Sequence, residues 1–148
     1  MTIENNDASS TFNITLMLRG SSSEIINVPY GARISSIPKP SYPGYNFLGW
    51  YKSFDENATT YNDTYKITSD MTLYARFTPI LYNVTYDMGG HGTITGPYMS
   101  TYTIGSSFSP PERDAIQHDP DVTFNGWSPE SIPPGTIGDF TFTAVWDT

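Results

Sequence analysis

Few residues in this chain have the type and spacing of chemical machinery. Its two histidines lie apart, His91 within Gly89-Gly90-His91-Gly92 and His118 just ahead of Asp119-Pro120-Asp121. His118, Asp119 and Asp121 together offer donors for a hard cation, but their spacing is not that of an oxygen-rich calcium loop. No metal site is expected there. Serines and threonines are numerous, yet no Gly-x-Ser-x-Gly elbow occurs, and the sequence defends for neither histidine the placed acidic partner that nucleophilic catalysis requires. Asp55 and Glu56 adjoin in a polar stretch where solvation is the default. No catalytic residue and no cofactor are assigned, and the chain is expected not to be an enzyme. What remains is aromatic chemistry. Tyr42, Tyr51, Tyr61, Tyr65 and Tyr74 crowd the first half, and a unit of about 70 residues cannot bury so many rings completely. These five tyrosines are the binding candidates, able to dock a protein or a glycan. The plainer alternative leaves them half-buried with their hydroxyls in water.

The elements that must position these rings are strands. Aromatic residues make up 15% of 148, with twelve Pro and twelve Gly, so large rings must be buried between frequent turns. Period-two alternation follows: Phe12, Ile14, Leu16 and Leu18 against Asn13, Thr15, Met17 and Arg19; Met71, Leu73, Ala75 and Phe77 against Thr72, Tyr74 and Arg76. Such alternation predicts strands with one buried face. No helical stripe of 12 residues is present; short turns are expected at Pro111 to Gln117, where Pro and acidic residues suit a first turn, and a brief helix within Asp55 to Lys66.

The blocks also recur. Phe12-Asn13-Ile14-Thr15-Leu16 returns as Tyr82-Asn83-Val84-Thr85-Tyr86. Tyr45-Asn46-Phe47-Leu48-Gly49-Trp50-Tyr51 returns as Val122-Thr123-Phe124-Asn125-Gly126-Trp127-Ser128, and Asp70-Met71-Thr72-Leu73-Tyr74-Ala75-Arg76-Phe77 as Asp139-Phe140-Thr141-Phe142-Thr143-Ala144-Val145-Trp146. More weakly, Tyr30 to Ile34 followed by Pro38 matches Ile104 to Phe108 followed by Pro110. Ordered self-similarity is the mark of a repeat architecture. The offsets are 70, 77 and 69 positions (12 to 82, 50 to 127, 70 to 139), so insertions are expected in loops near Glu112 to Asp121 and Lys52 to Ser69, where added length costs little. The predicted organisation is a polar arm at 1–11, one repeat at 12–79 and a second at 80–148.

Within each repeat a Trp follows a Gly. The pair invites an exposed anchor, but a large ring recurring at one place in two small units is better explained as core. Strict alternation would put Phe47 and Trp50 on opposite faces, so a bulge at Gly49 is expected if both are core.

The order of Tyr-x-Val-Thr-Tyr, a Gly turn, Pro-x-Pro, Gly-Tyr-x-Phe-x-Gly-Trp-Tyr and Ser-Asp-x-Thr-Leu-Tyr-Ala-x-Phe resembles the Listeria-Bacteroides repeat, the B-repeat of internalin B. The resemblance is strongest over 12–79; the second half has Ser128 where the family has Tyr, while its Asp87-Met88-Gly89-Gly90 matches a family turn that the first half replaces with Leu18-Arg19-Gly20-Ser21. It implies a mainly β, β-grasp-like unit repeated on large microbial surface proteins as spacer, stalk or adhesive module. Fold resemblance alone does not give function.

Charge narrows the partners. The net charge is −8, and the seven Lys and Arg are scattered, so nucleic acid is not an expected partner. No apolar run of membrane-spanning length occurs, so membrane insertion is not expected either. The N-terminal residues lack the parts of a signal peptide, which suggests a fragment of a longer surface protein or, as the alternative, a virion component such as a capsid decoration or fibre. With no Cys, packing alone must hold each unit. The expected partners are a protein or glycan on a surface, or neighbouring structural subunits.

Overall fold

The structure is a computed structural model that describes residues 10–20 and 22–148; most of the arm expected at 1–11 lies outside the described residues. Two compact units divide between Thr78 and Pro79. Positions 10 and 11 belong to the first unit rather than to an arm: Ser10 is buried and its carbonyl accepts from Tyr30 N, while Thr11 opens the first strand.

Unit one contains β1 (Thr11–Met17), β2 (Ser23–Pro29), β3 (Tyr45–Tyr51) and β4 (Met71–Pro79). Their order in the sheet is β2-β1-β4-β3. β1 and β2 form an antiparallel hairpin, whereas β1 and β4, the first and last strands, are parallel with Ile14 opposite Met71 and Leu16 opposite Leu73. Alternation decides which face is dry: Phe12, Ile14 and Leu16 of β1 meet Val28 of β2 and Leu73 and Ala75 of β4 in one core, joined by Ile34, Ile37, Trp50 and Ile67. A β-grasp sheet carries a helix over this face. Here the cover is irregular chain with one 3-10 turn, Ile34–Ser36, and Ile34 and Ile67 do the burying. The two arms of that cover are tied by Ile34 N to Tyr65 O and Ile67 N to Ala32 O. The helix expected within Asp55 to Lys66 is absent. That segment instead bends back along β3, with Lys52 N donating to Thr59 O and Tyr61 N to Trp50 O, so the edge strand outcompetes a local helix for the backbone groups.

Unit two repeats the plan with β5 (Tyr82–Asp87), β7 (Thr101–Tyr102), β9 (Thr123–Ser128) and β10 (Phe140–Asp147), in the order β7-β5-β10-β9. The central pair is again parallel, and its register is the same: Val84 faces Phe140 as Ile14 faces Met71. Phe142, fully buried, centres a core with Val84, Tyr102, Ile116, Phe124, Trp127 and Ala144. Between Pro111 and Gln117 the expected turn is a single 3-10 turn, Arg113–Ala115. The insertion that follows is more than a loop. β8 (Ile116–His118) pairs antiparallel with β6 (Gly92–Ile94) as a separate two-stranded ribbon, which strand patterning missed because each strand has only three residues.

The Gly-Trp block behaves as a bulge. On β9, Phe124 and Trp127 face Trp146 and Ala144 of β10, so three steps on one strand match two on the other. Gly126 takes φ 105° and Gly49 φ 139°, a region other residues rarely adopt. The extra residue returns Phe47 and Trp50 to one face, where their rings meet at 5.2 Å; Phe124 and Trp127 meet at 5.1 Å. Trp50 is 3% exposed and Trp127 6%.

Each parallel pair is closed at one end by a carboxylate. Asp70, immediately before β4, accepts from Asn13 N at 2.8 Å, and Asp139, immediately before β10, accepts from Asn83 N at 2.9 Å. A charged acceptor on a backbone N–H makes a stronger bond than a neutral one.

Two outcomes follow for thermal melts. Asp70→Ala or Asp139→Ala should cost its unit about 1 kcal/mol, with a smaller loss for Asp→Asn, which keeps the acceptor. Trp50→Ala or Trp127→Ala should cost about 3 to 5 kcal/mol, a large share of the roughly 5 to 15 kcal/mol a domain has. Unchanged melting in either aspartate variant would show that the strand pair is set without the carboxylate.

Candidate functional site

The five candidate tyrosines fall in three places. Tyr51 and Tyr74 stand on the open face of the unit-one sheet, each one residue out of phase with the buried Trp50 and Leu73. Phe54 meets Tyr74 edge-on at 4.8 Å, and the Arg76 guanidinium lies 3.9 Å from the Tyr51 ring centroid. Arg76 also donates to the carbonyls of Asp55 and Glu56, pinning the loop that carries Phe54. The result is a row of two tyrosines, an exposed phenylalanine and a fixed cation on one surface. Phe54 was not among the candidates; its signal, a lone aromatic in the polar stretch Ser53-Phe54-Asp55-Glu56, was available.

Tyr61 and Tyr65 lie elsewhere, with rings 5.2 Å apart and Lys52 Nζ 5.5 Å from the Tyr61 ring. Burial and then the neighbouring Tyr65 push the Tyr61 hydroxyl above its ordinary pKa. Tyr42 joins neither group and packs edge-on against Phe77 at 5.0 Å.

A groove accompanies the Gly-Trp strand in each unit. In unit one its lining includes Ile37, Lys39, Phe47, Leu48, Trp50 and Tyr61. In unit two the lining includes Phe108, Pro110, Pro111, Phe124 and Trp127. The two tryptophans differ in one bond: Trp127 Nε1 donates to Pro111 O at 2.7 Å, while Trp50 Nε1 is buried with no acceptor. An indole N–H left so costs about 1 to 3 kcal/mol.

The histidines have partners that the sequence did not reveal. Expected in unpartnered loops, they instead flank Trp146, at 5.9 Å for His91 and 5.8 Å for His118, with His118 ending β8. His91 Nδ1 lies 3.6 Å from Asp119 Oδ2, and His118 Nδ1 lies 2.7 Å from Asp119 O. Trp146 donates to Met88 O at 2.9 Å. Gly92 makes room for this stack: a Cβ there would fall 2.9 Å from Trp146 and 2.6 Å from Gln117 O. The cluster therefore clasps the ribbon to β10. Among the described residues no three His, Asp or Glu side chains gather as metal ligands. Elsewhere in unit two, burial and then Tyr98 push Tyr86 up to about 12, and burial raises Tyr102. Both hydroxyls donate to backbone carbonyls, of Met99 and Gly138 respectively, which is a structural use.

Two proteins of Evansella cellulosilytica are similar: one named "Putative membrane protein", 27% identical over 111 residues, and one named "Putative Gly-rich membrane protein", 28% identical over 97. The matches cover 75% and 61% of this chain but 17% and 11% of those proteins, so the chain matches less than a fifth of their length. The family model for the Listeria-Bacteroides repeat domain matches residues 9–76. That segment holds the whole of β1 to β3 and most of β4, including the Gly-Trp bulge and Asp70. Over residues 9–76 this chain is similar to the Listeria-Bacteroides repeat family.

Proposed function

We propose that the chain is a non-catalytic, surface-associated module, two tandem copies of one repeat, that spaces or presents a neighbouring element under tension. The observation that carries this reading is the parallel pairing of the first and last strands in each unit. The chain enters such a unit at one end of the ladder and leaves at the other. Pulling on the two ends then runs along the strands and strains every bond of the ladder together, rather than opening them singly. The Asp70 and Asp139 bonds add one more tie across the same pair.

Tandem copies are supported by the same strand order and central register in both units. A surface location is supported by the family's habit and by the names of the longer relatives, which favour it over the virion alternative. No helix among the described residues is long and apolar enough to cross a membrane, so under this reading any anchorage through a helix would be made elsewhere. The row of Tyr51, Phe54, Tyr74 and Arg76 is the face we assign to contact with a protein or glycan, because aromatic rings beside a cation give contact area at low entropic cost.

Because the chain has no Cys, handles can be placed at will. Stretched from its ends, the protein should unfold in two steps of roughly 200 Å each, from about 3.3 to 3.6 Å per extended residue less the folded length. Handles at Thr11 and Ser69, side by side at one end of the β1–β4 ladder, should open unit one at a clearly lower force. Equal forces in the two geometries would remove the mechanical reading.

A further inference from the structure

Trp50 and Trp127 hold equivalent places, each after a bulge glycine in the edge strand beside β4 or β10. In unit two a proline-rich stretch lies against the ring and gives its N–H the Pro111 carbonyl. In unit one the matching stretch, Pro38-Lys39-Pro40, supplies no carbonyl, and the N–H of a ring 97% removed from solvent has no acceptor. An indole nitrogen can only donate, so what is lacking is an acceptor. Beside it runs a groove lined by Phe47, Leu48 and Tyr61, with Lys39 as a second donor in the lining.

We propose that this groove binds an extended, proline-containing segment of a partner protein, whose backbone carbonyl accepts the Trp50 N–H bond that Pro111 accepts from Trp127. The chemistry is matched on each side. A proline-rich segment offers carbonyl acceptors while bringing few N–H groups that would need partners, and its extended conformation is set before binding, so little order has to be imposed. Aromatic-lined grooves take such segments in general, and in unit two Pro111 shows a proline carbonyl accepting the equivalent indole N–H. Because Trp50 Nε1 is buried, the lining must part to admit the carbonyl, and side-chain rearrangement of that kind is common at interfaces. The site adds a binding activity to the mechanical one and stands apart from it, since force and binding are read separately.

The test uses the whole chain and its three indole N–H signals in a nitrogen-resolved NMR spectrum, assigned by Trp50→Phe, Trp127→Phe and Trp146→Phe. The probes are acetyl-Phe-Ser-Pro-Pro-Glu-Arg-amide, the sequence of 108–113, a decaproline, and cellohexaose as the glycan arm. Either peptide should shift the Trp50 N–H saturably and slow its exchange, leaving Trp127 and Trp146 in place. Trp50→Phe keeps a ring but deletes the donor; it should weaken peptide binding at least tenfold while melting no lower than Trp127→Phe, which loses a made bond. The proposal is overturned if neither peptide moves the Trp50 signal at millimolar concentration, if they bind without moving it, or if only cellohexaose does.

Discussion

Everything in each unit hangs on the pairing of its first strand with its last. β1 and β4, like β5 and β10, are separated by more than fifty residues yet lie side by side. A parallel pair cannot be made by a tight turn and needs a long crossover, so closing it costs chain entropy that neighbouring contacts must offset. Those contacts are the alternate apolar residues: Ile14 and Leu16 against Leu73, Val84 against Phe142. With that pair in place, β2 or β7 and β3 or β9 have an edge to join, and the segments between them have a dry face to cover. The carboxylate of Asp70 or Asp139 helps fix the register, because it reaches the N–H at the start of the facing strand.

Much of this was legible in the sequence, and the reason is physical. Where burial is one-sided, period two writes itself into residue type, and the alternation in Phe12 to Leu18 and Met71 to Phe77 gave both strands and their dry faces. The bulge was legible too, since Gly49 stands where Phe47 and Trp50 would otherwise part. Three things were not. The roles of Asp70 and Asp139 depend on a backbone partner more than fifty residues away, and nothing in a polar residue's surroundings announces that. The ribbon of β6 and β8 is too short for a period to show. The five tyrosines looked like one population by count, but the pleat sends Tyr51 and Tyr74 to the open face and the loops take Tyr42, Tyr61 and Tyr65 elsewhere.

The division of labour between ladder and loops explains how one plan carries two different surfaces. Unit one spends its extra residues after β3, where Phe54 meets Tyr74 and Arg76 holds the Asp55 and Glu56 carbonyls; unit two spends them before β9, where the ribbon forms. Each insertion meets the central pair through its last strand, Phe54 against Tyr74 of β4 and His118 against Trp146 of β10. Loops on a fixed scaffold can change at small thermodynamic cost, so the exposed parts of these insertions can be exchanged while Ile67 and Ile116 keep their places in the cores.

The clasp around Trp146 bears on a hazard that comes with repetition. Two neighbouring stretches of chain with the same register invite a strand of one to pair with the wrong partner during synthesis, the characteristic failure of tandem domains. β4 carries Phe77 where β10 carries Trp146, and among the described residues only unit two builds the ribbon whose Gly92 leaves room for the larger ring. If β10 sought β1, its indole would find neither the Gly92 recess nor the Met88 carbonyl that takes its N–H. The mismatch would leave a large ring and a polar group both unaccommodated, so the difference between the two ends acts as a proofreading mark, keeping each last strand with its own first strand.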